Sequence, residues 1–77
     1  MEFDQELDAR GLLCPLPIVK ARAAMADLQP GEVLKVVSTD AGSVHDFPAF
    51  ARLTRNTLLH SQEDGQDYVY FLRKGGA

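Results

Sequence analysis

The residue best suited to chemistry in this 77-residue chain is Cys14, its only cysteine, in the segment GLLCPLPIVKA. Proline presets φ for the first turn of a helix, where its missing N–H costs little. We therefore expect a helix to begin at Pro15, with Cys14 as its N-cap and Pro17 in its first turn. A helix N-terminus favours an anion, so the sequence predicts an exposed thiol with a lowered pKa, and Arg10 as a second cationic influence.

Other roles for this cysteine are less favoured. It could be a small buried core residue, but its position between a predicted helix start and two prolines favours exposure. A dithiol redox site needs a second cysteine, and His45 and His60 stand in no recognised metal-ligand spacing, so we predict neither metal nor cofactor. A Cys/His catalytic pair stays open on spacing alone, although no motif supports it. The remaining role is a solitary thiol that carries a group between proteins.

Hydrophobic periodicity predicts the elements that hold this thiol. A short strand is expected from Phe3 to Asp8. The helix from Pro15 ends at the QPGE segment, and the β-branched run VLKVVS, residues 33–38, is typical of a central strand. The inward face of the helix consists of Ile18, Ala21, Met25 and Leu28.

A second helix and a hairpin follow in the sequence. The helix start stays open, because either Ser43 and Asp46 form a capping box or Asp46 is itself the N-cap before a proline. Asn56 is expected in the left-handed conformation that ends this helix, and Asp64 with Gly65 predicts a tight hairpin turn. The inward face of the helix is predicted to hold Phe47, Phe50, Ala51 and Thr54.

The element order is therefore β-α-β-α-β-β. Right-handed crossovers place both helices on one face of the sheet. The expected fold is α/β, a two-layer α/β sandwich with a mixed four-stranded sheet. A chain this short supports one hydrophobic core, so residues 1–77 are expected to form a single domain.

Composition excludes several classes of function. The formal net charge of -3 argues against direct nucleic-acid binding, which needs a cationic face. Apolar stretches are far shorter than the roughly 20 residues that span a bilayer, so no membrane association is expected. The segment MEFDQELDAR lacks the features of a secretory signal and one cysteine makes no internal disulfide, so we expect a cytoplasmic monomer.

The motif Cys14-Pro15-Leu16-Pro17, the preceding Asp8 and the later segments STDAGSVHDFPAF and DYVYFLRKGG resemble the TusA/SirA-like sulfur carrier family. The resemblance implies a sulfurtransferase-type carrier without small-molecule turnover of its own. Its cysteine takes a persulfide sulfur from a cysteine desulfurase or another sulfurtransferase and passes it to a relay or acceptor protein. Thiolation of the tRNA wobble uridine is the leading destination, and sulfur oxidation or molybdenum-cofactor supply are alternatives.

The resemblance also implies a set of site residues around the cysteine. Cys14 is the predicted persulfide carrier, supported by Pro15, Pro17, Gly11, Asp8, Leu16 and Arg10, with partner contacts at Asp40, Asp46, Arg73 and Lys74. Asp8, Gly11, Asp40 and Asp46 match family positions, but we favour a structural role for all four, because turns and helix caps recruit these residue types.

Two further features of the sequence bear on partners. Leu16 stands where members of the tRNA branch often carry an acidic residue, which predicts an apolar contact beside the sulfur. The RKGGA tail is expected to fray. A protein-interaction module in which Cys14 is incidental is the alternative from another class, and Cys14→Ser separates it from a carrier.

Overall fold

Six elements make up the computed structural model, which describes residues 1–76. They are β1 Gln5–Ala9, α1 Leu16–Ala26, β2 Val33–Ser38, α2 Ser43–Leu53, β3 Thr57–Asp64 and β4 Asp67–Arg73. The predicted order is confirmed, and β2 has its predicted bounds. The first strand begins later than predicted, because Phe3 lies before the ladder and Asp4 makes the first contacts with Val33.

The strands form one mixed sheet in the order β1-β2-β4-β3. β1 and β2 are parallel, whereas β4 is antiparallel to both β2 and β3. The predicted central position of β2 is therefore confirmed. Because β1 and β2 are parallel, Ala9 and Ser38 are register partners, and the loops that follow these residues leave the sheet at the same edge.

Both helices pack on one face of this sheet, as predicted. The core joins helix residues to the strand residues Leu34, Val36 and Leu72. The buried helix positions include five of the predicted inward residues, Ala21, Met25, Phe47, Phe50 and Ala51. The opposite face carries a smaller cluster built from the strand residues Val37, Val69 and Phe71. The alternation along β4 thus supplies apolar side chains to both faces, which accounts for its strongly apolar sequence.

The start of α1 differs from the prediction by one residue. Pro15 has φ -98° and ψ 14° and occupies the N-cap, and the first helical hydrogen bond runs from the Val19 N–H to the Pro15 carbonyl. Leu16, whose N–H donates to the Leu13 carbonyl, is the first helical residue. Cys14 therefore precedes the N-cap. Neither helix of the described chain is long and apolar enough to cross a membrane.

Both proposed starts of α2 are wrong. Gly42 is the N-cap, no side chain caps the helix, and Pro48 lies inside it. The helix begins early because the Asp40 carboxylate accepts the Gly42 N–H at 3.2 Å and holds the preceding turn. At the other end Arg55, not Asn56, has the left-handed conformation, with φ 60°. The Asn56 N–H then bonds the Ala51 carbonyl, which is the Schellman pattern.

The tail was predicted to fray, but Lys74 and Gly75 are docked on the rest of the fold. The part of that prediction that concerns Ala77 lies outside the described residues. The Lys74 backbone exchanges hydrogen bonds with Gly31 and Glu32, and the Gly75 N–H donates to Asn56 Oδ1 at 2.8 Å. A Cβ at Gly75 would overlap the Arg55 carbonyl oxygen, so the close approach requires glycine. The segment is therefore part of the fold.

Candidate functional site

Cys14 is an exposed free cysteine on the loop between β1 and α1. Its backbone N–H donates to Asp40 Oδ2 at 2.9 Å, and the Cys14–Pro15 peptide bond is cis. The predicted exposure is confirmed, whereas the predicted N-cap position is wrong because Pro15 occupies it. The residue is thus held in place by its backbone while its sulfur stays accessible.

Asp40 connects the cysteine loop to the start of α2. Besides the Cys14 amide at Oδ2, its Oδ1 accepts the Gly42 N–H, and its own N–H donates to Ser38 Oγ at 3.1 Å. Ser38 is fully buried at the end of β2. These bonds follow from the parallel pairing of β1 and β2, which brings the two loops together at one sheet edge.

A second bond ties the same loops together. The Gly11 N–H donates to Thr39 Oγ1 at 2.9 Å, and Gly11 itself has φ 80°, a conformation suited to glycine. The sequence analysis missed Thr39, because its partner Gly11 lies in a different loop. It missed Ser38, because the bond from the Asp40 N–H depends on the geometry of the turn. The TDAG segment, with an Asp that can bond the backbone two residues on, was the available signal.

Asp46, in the first turn of α2, also lies close to the cysteine. Cys14 Sγ and carboxylate oxygens of Asp40 and Asp46 all lie within 4.8 Å of one another. Hydrogen bonding to Asp46 is the largest cause that raises the pKa of the Cys14 thiol, followed by desolvation and the negative charges of Asp46 and Asp40. The predicted lowering of this pKa is therefore wrong, because the hydrogen bond to Asp46, desolvation and the two nearby carboxylates all raise it.

The thiol and the two carboxylates are also groups that can bind a metal cation. A structural zinc ion takes four such ligands, and Cys14, Asp40 and Asp46 supply three. The effect of these carboxylates that the structure shows directly is the raised pKa of the Cys14 thiol.

Arg10 does not act on the thiol as the sequence suggested. Its Nε lies 3.2 Å from Asp67 Oδ2 on β4, and its Nη1 lies 3.5 Å from Asp8 Oδ1. The Asp8 carboxylate also accepts the Arg10 N–H at 3.1 Å. Both residues are therefore placed to fix the end of β1 rather than to contact Cys14.

The remaining predicted residues divide between the cysteine and the far end of the molecule. Pro17 is fully buried under the start of α1, whereas Leu16 is 46% exposed beside the cysteine. Arg73 is exposed at the end of β4. Lys74 uses its Nζ to donate to the Leu28 carbonyl at 2.7 Å, just beyond α1. This bond holds the ammonium group near the end of α1. The predicted partner contacts at Arg73 and Lys74 stay predictions.

A groove between α1 and α2 begins at the cysteine. Its walls are mainly apolar and include Ile18, Ala49 and Leu53, and Arg22 also lines it. Leu53 is 79% exposed, and Leu13, on the loop next to Cys14, is 70% exposed. Sequence analysis did not predict this surface, because it depends on how the two helices pack. The sulfur therefore lies at the end of an apolar groove, among leucines that face solvent.

Comparisons with known proteins agree on one family. Residues 5–74 match the family model described as Sulfurtransferase TusA. The chain is 49% identical over 73 residues to the sulfur carrier protein TusA of Allochromatium vinosum, covering 95% of this chain and 96% of that one. It is also 49% identical over 70 residues to the putative sulfur carrier protein YrkF of Bacillus subtilis, covering 91% of this chain but only 38% of that longer protein.

One solved structure gives the same fold. The crystal structure of a SirA-like protein from Desulfitobacterium hafniense aligns with a TM-score of 0.82, covering 95% of this chain and 100% of that chain. Its sequence identity is 23%, so this likeness concerns the arrangement of helices and strands. It matches the predicted two-layer α/β architecture.

Proposed function

The chain belongs to the TusA family of sulfurtransferases, and we propose that it is a sulfur carrier that bears its cargo as a persulfide on Cys14. The observation that carries this proposal is the only cysteine, exposed on a loop whose backbone is fixed by Asp40. A carrier must offer its sulfur to two proteins in turn, so accessibility matters more than an enclosed pocket. The exposed position of Cys14 meets that requirement.

The transfer needs no external oxidant or reductant. The Cys14 sulfur attacks the outer sulfur of a donor persulfide, a new S–S bond forms, and the donor's S–S bond breaks as its cysteine leaves as a thiolate. The acceptor protein repeats the step on the Cys14 persulfide. The partners implied are therefore a cysteine desulfurase or other sulfurtransferase as donor, and a relay or acceptor protein.

The surface around the sulfur suits contact with proteins. Leu13 and Leu16, which lie close to Cys14 in the sequence, are exposed, and Cys14 itself lines the apolar groove. Any protein that reaches the sulfur closely enough for S–S exchange must lie over some of these side chains. We propose that Leu16 helps to select the partner, because it replaces a charged contact with an apolar one.

The decisive experiment measures sulfur on the protein. The chain is incubated with a cysteine desulfurase and cysteine, and its intact mass is recorded beside that of Cys14→Ser. We expect the wild type to gain one sulfur atom, which reducing agent removes, and the variant to gain none. Equal gain by the variant would contradict the proposal. So would the absence of gain by the wild type both with a cysteine desulfurase and with another sulfurtransferase as donor.

The finer proposal concerns the destination of the sulfur. We propose that the sulfur is finally used to thiolate the tRNA wobble uridine. We further propose that the carrier is a cytoplasmic monomer with a single domain. The test is the content of thiolated uridine in tRNA from cells that lack the gene, complemented with wild type or Cys14→Ser. Restoration by the wild type alone supports this destination. Unchanged tRNA thiolation in the deletion strain would instead favour sulfur oxidation or molybdenum-cofactor supply.

The same pair of strains tests the interaction-module alternative. A module in which the cysteine is incidental would keep its cellular phenotype in Cys14→Ser, whereas a carrier loses it. The exposed cysteine on a loop held by Asp40 favours the carrier, because transfer of sulfur between proteins needs an accessible thiol.

A further inference from the structure

Two carboxylates lie close to the Cys14 thiol. Asp46 faces it from α2 and Asp40 from the β2–α2 loop, and both carboxylates act to raise the pKa of the thiol. On α1, Arg22 lines the same groove. On the cysteine's own loop, Arg10 is held by Asp67 and Asp8. The net influence is negative, which disfavours a thiolate at neutral pH.

This arrangement is unexpected for a nucleophile. A thiol attacks as its thiolate, and reactive cysteines usually lie beside cations. Asp40 is engaged by two backbone amides and so has a structural reason for its position. Asp46 lies in the first turn of α2, where a carboxylate also suits the helix dipole. One of its carboxylate oxygens lies within 4.8 Å of Cys14 Sγ.

We propose that Asp46 is a positioning residue that keeps the unloaded Cys14 protonated until a donor protein brings a cationic side chain against the two carboxylates. The inference rests on the carrier function proposed above. A cation from the donor offsets both carboxylates and allows the thiolate to form where the persulfide is waiting. Free oxidants and electrophiles, which bring no such cation, meet the less reactive thiol.

The loading step balances without further reactants. Cys14–SH and donor–S–SH become Cys14–S–SH and donor–SH: the Sγ–S bond forms, the donor S–S bond breaks, and the proton released from Cys14 is taken up by the departing donor thiolate. Asp46 acts through the proton of Cys14 and forms no bond to sulfur.

The first test uses a neutral alkylating reagent, iodoacetamide, and follows the modification rate of Cys14 from neutral to alkaline pH. Asp46→Asn removes the charge, and Asp46→Glu keeps it. Asp27→Asn is the charge-matched control, because Asp27 is exposed at the opposite end of α1. Circular dichroism verifies that each variant is folded.

In Asp46→Asn we expect the pH profile to move to lower pH and the rate near neutral pH to rise about two- to fivefold. One unit charge at ~4 Å in water changes an equilibrium about fivefold, and the lower nucleophilicity of a more acidic thiol takes back part of that gain. Asp46→Glu and Asp27→Asn should follow the wild type. Superimposed profiles of Asp46→Asn and wild type, or an equal change in Asp27→Asn, would overturn the proposal.

The second test measures sulfur loading from a cysteine desulfurase at increasing salt. Screening weakens attraction between a cationic donor and the carboxylates, so wild-type loading should slow more steeply with salt than loading of Asp46→Asn. Equal salt dependence would overturn the cationic donor contact. Failure of every variant to load sulfur would count against the carrier function itself, whereas the alkylation profiles decide the role of Asp46 independently.

Discussion

Removal of the Asp40 carboxylate is expected to loosen the cysteine loop and the start of α2 together. One oxygen accepts the Cys14 N–H at 2.9 Å and the other accepts the Gly42 N–H at 3.2 Å. Asparagine has only one acceptor oxygen, so in Asp40→Asn one of the two amides faces an NH₂ group instead. Asp40→Ala removes both acceptors.

The magnitude follows from these two bonds. A hydrogen bond to a charged group contributes about 1.5–3 kcal/mol and a neutral one about 0.5–1.5 kcal/mol. Because Asp40 is half-buried and water can replace part of each bond, we expect Asp40→Asn to lower the free energy of unfolding by about 1–2 kcal/mol. Asp40→Ala should lower it further. In a chain of this size each kcal/mol lowers Tm by about 4–8 °C.

Urea unfolding measures the stability, and amide hydrogen exchange shows where it is lost. The Cys14 and Gly42 amides should exchange faster in Asp40→Ala, whereas amides within the sheet should change only with global stability. Asp27→Asn, an exposed neutralisation far from the loop, should stay within about 0.5 kcal/mol of the wild type. The bridging role is refuted if Asp40→Ala unfolds at the wild-type urea concentration and the Cys14 amide exchanges no faster.

Three further predictions concern the core, the tail and the surface. Ser43→Ala and Tyr70→Phe each break the buried 2.7 Å hydrogen bond between the two hydroxyls, and each should lower the free energy of unfolding by about 1–3 kcal/mol. In urea unfolding the double variant should lose less than the sum of the single losses, and full additivity would show that the hydroxyls act separately. Gly75→Ala places a Cβ against the Arg55 carbonyl oxygen and should cost at least about 1 kcal/mol in a thermal melt; an unchanged Tm would mean that the docked tail adds nothing to stability. Leu16→Glu, at an exposed position, should keep stability within about 0.5 kcal/mol but change the relative loading rates from different sulfur donors; unchanged rates would remove Leu16 from partner selection.

Local patterns were sufficient to predict most of the fold. The apolar run of β2 and the inward faces of both helices depend on the residue periods of strand and helix, which are properties of the sequence itself. The handedness rule for crossovers then placed both helices on one face. The exposure of Cys14 followed from the prolines after it. These steps required no knowledge of contacts between distant residues.

The features that were missed depend on such contacts. The Asp40–Cys14 bond spans 26 residues, and the approach of Asp46 to the sulfur depends on the packing of α2 against the cysteine loop. Lys74 looked like an exposed cation in the sequence, but its Nζ bonds Leu28, 46 residues away. The TDAG turn shows the same limit, since its residue types predicted a turn but not the amide that Asp40 holds.

The pKa of Cys14 shows how a small change in backbone position decides the chemistry of a site. An N-cap thiol would lie against the unpaired amides of the helix, where the favourable influence on an anion is greatest and from which it falls off within about one turn. Pro15 takes that position, so Cys14 lies one residue further out and its amide is directed to Asp40. Asp46 and Asp40 then lie close to the sulfur and act in the opposite direction. Since these carboxylates raise the pKa of Cys14, we expect the activation needed for sulfur transfer to come from the docked partner.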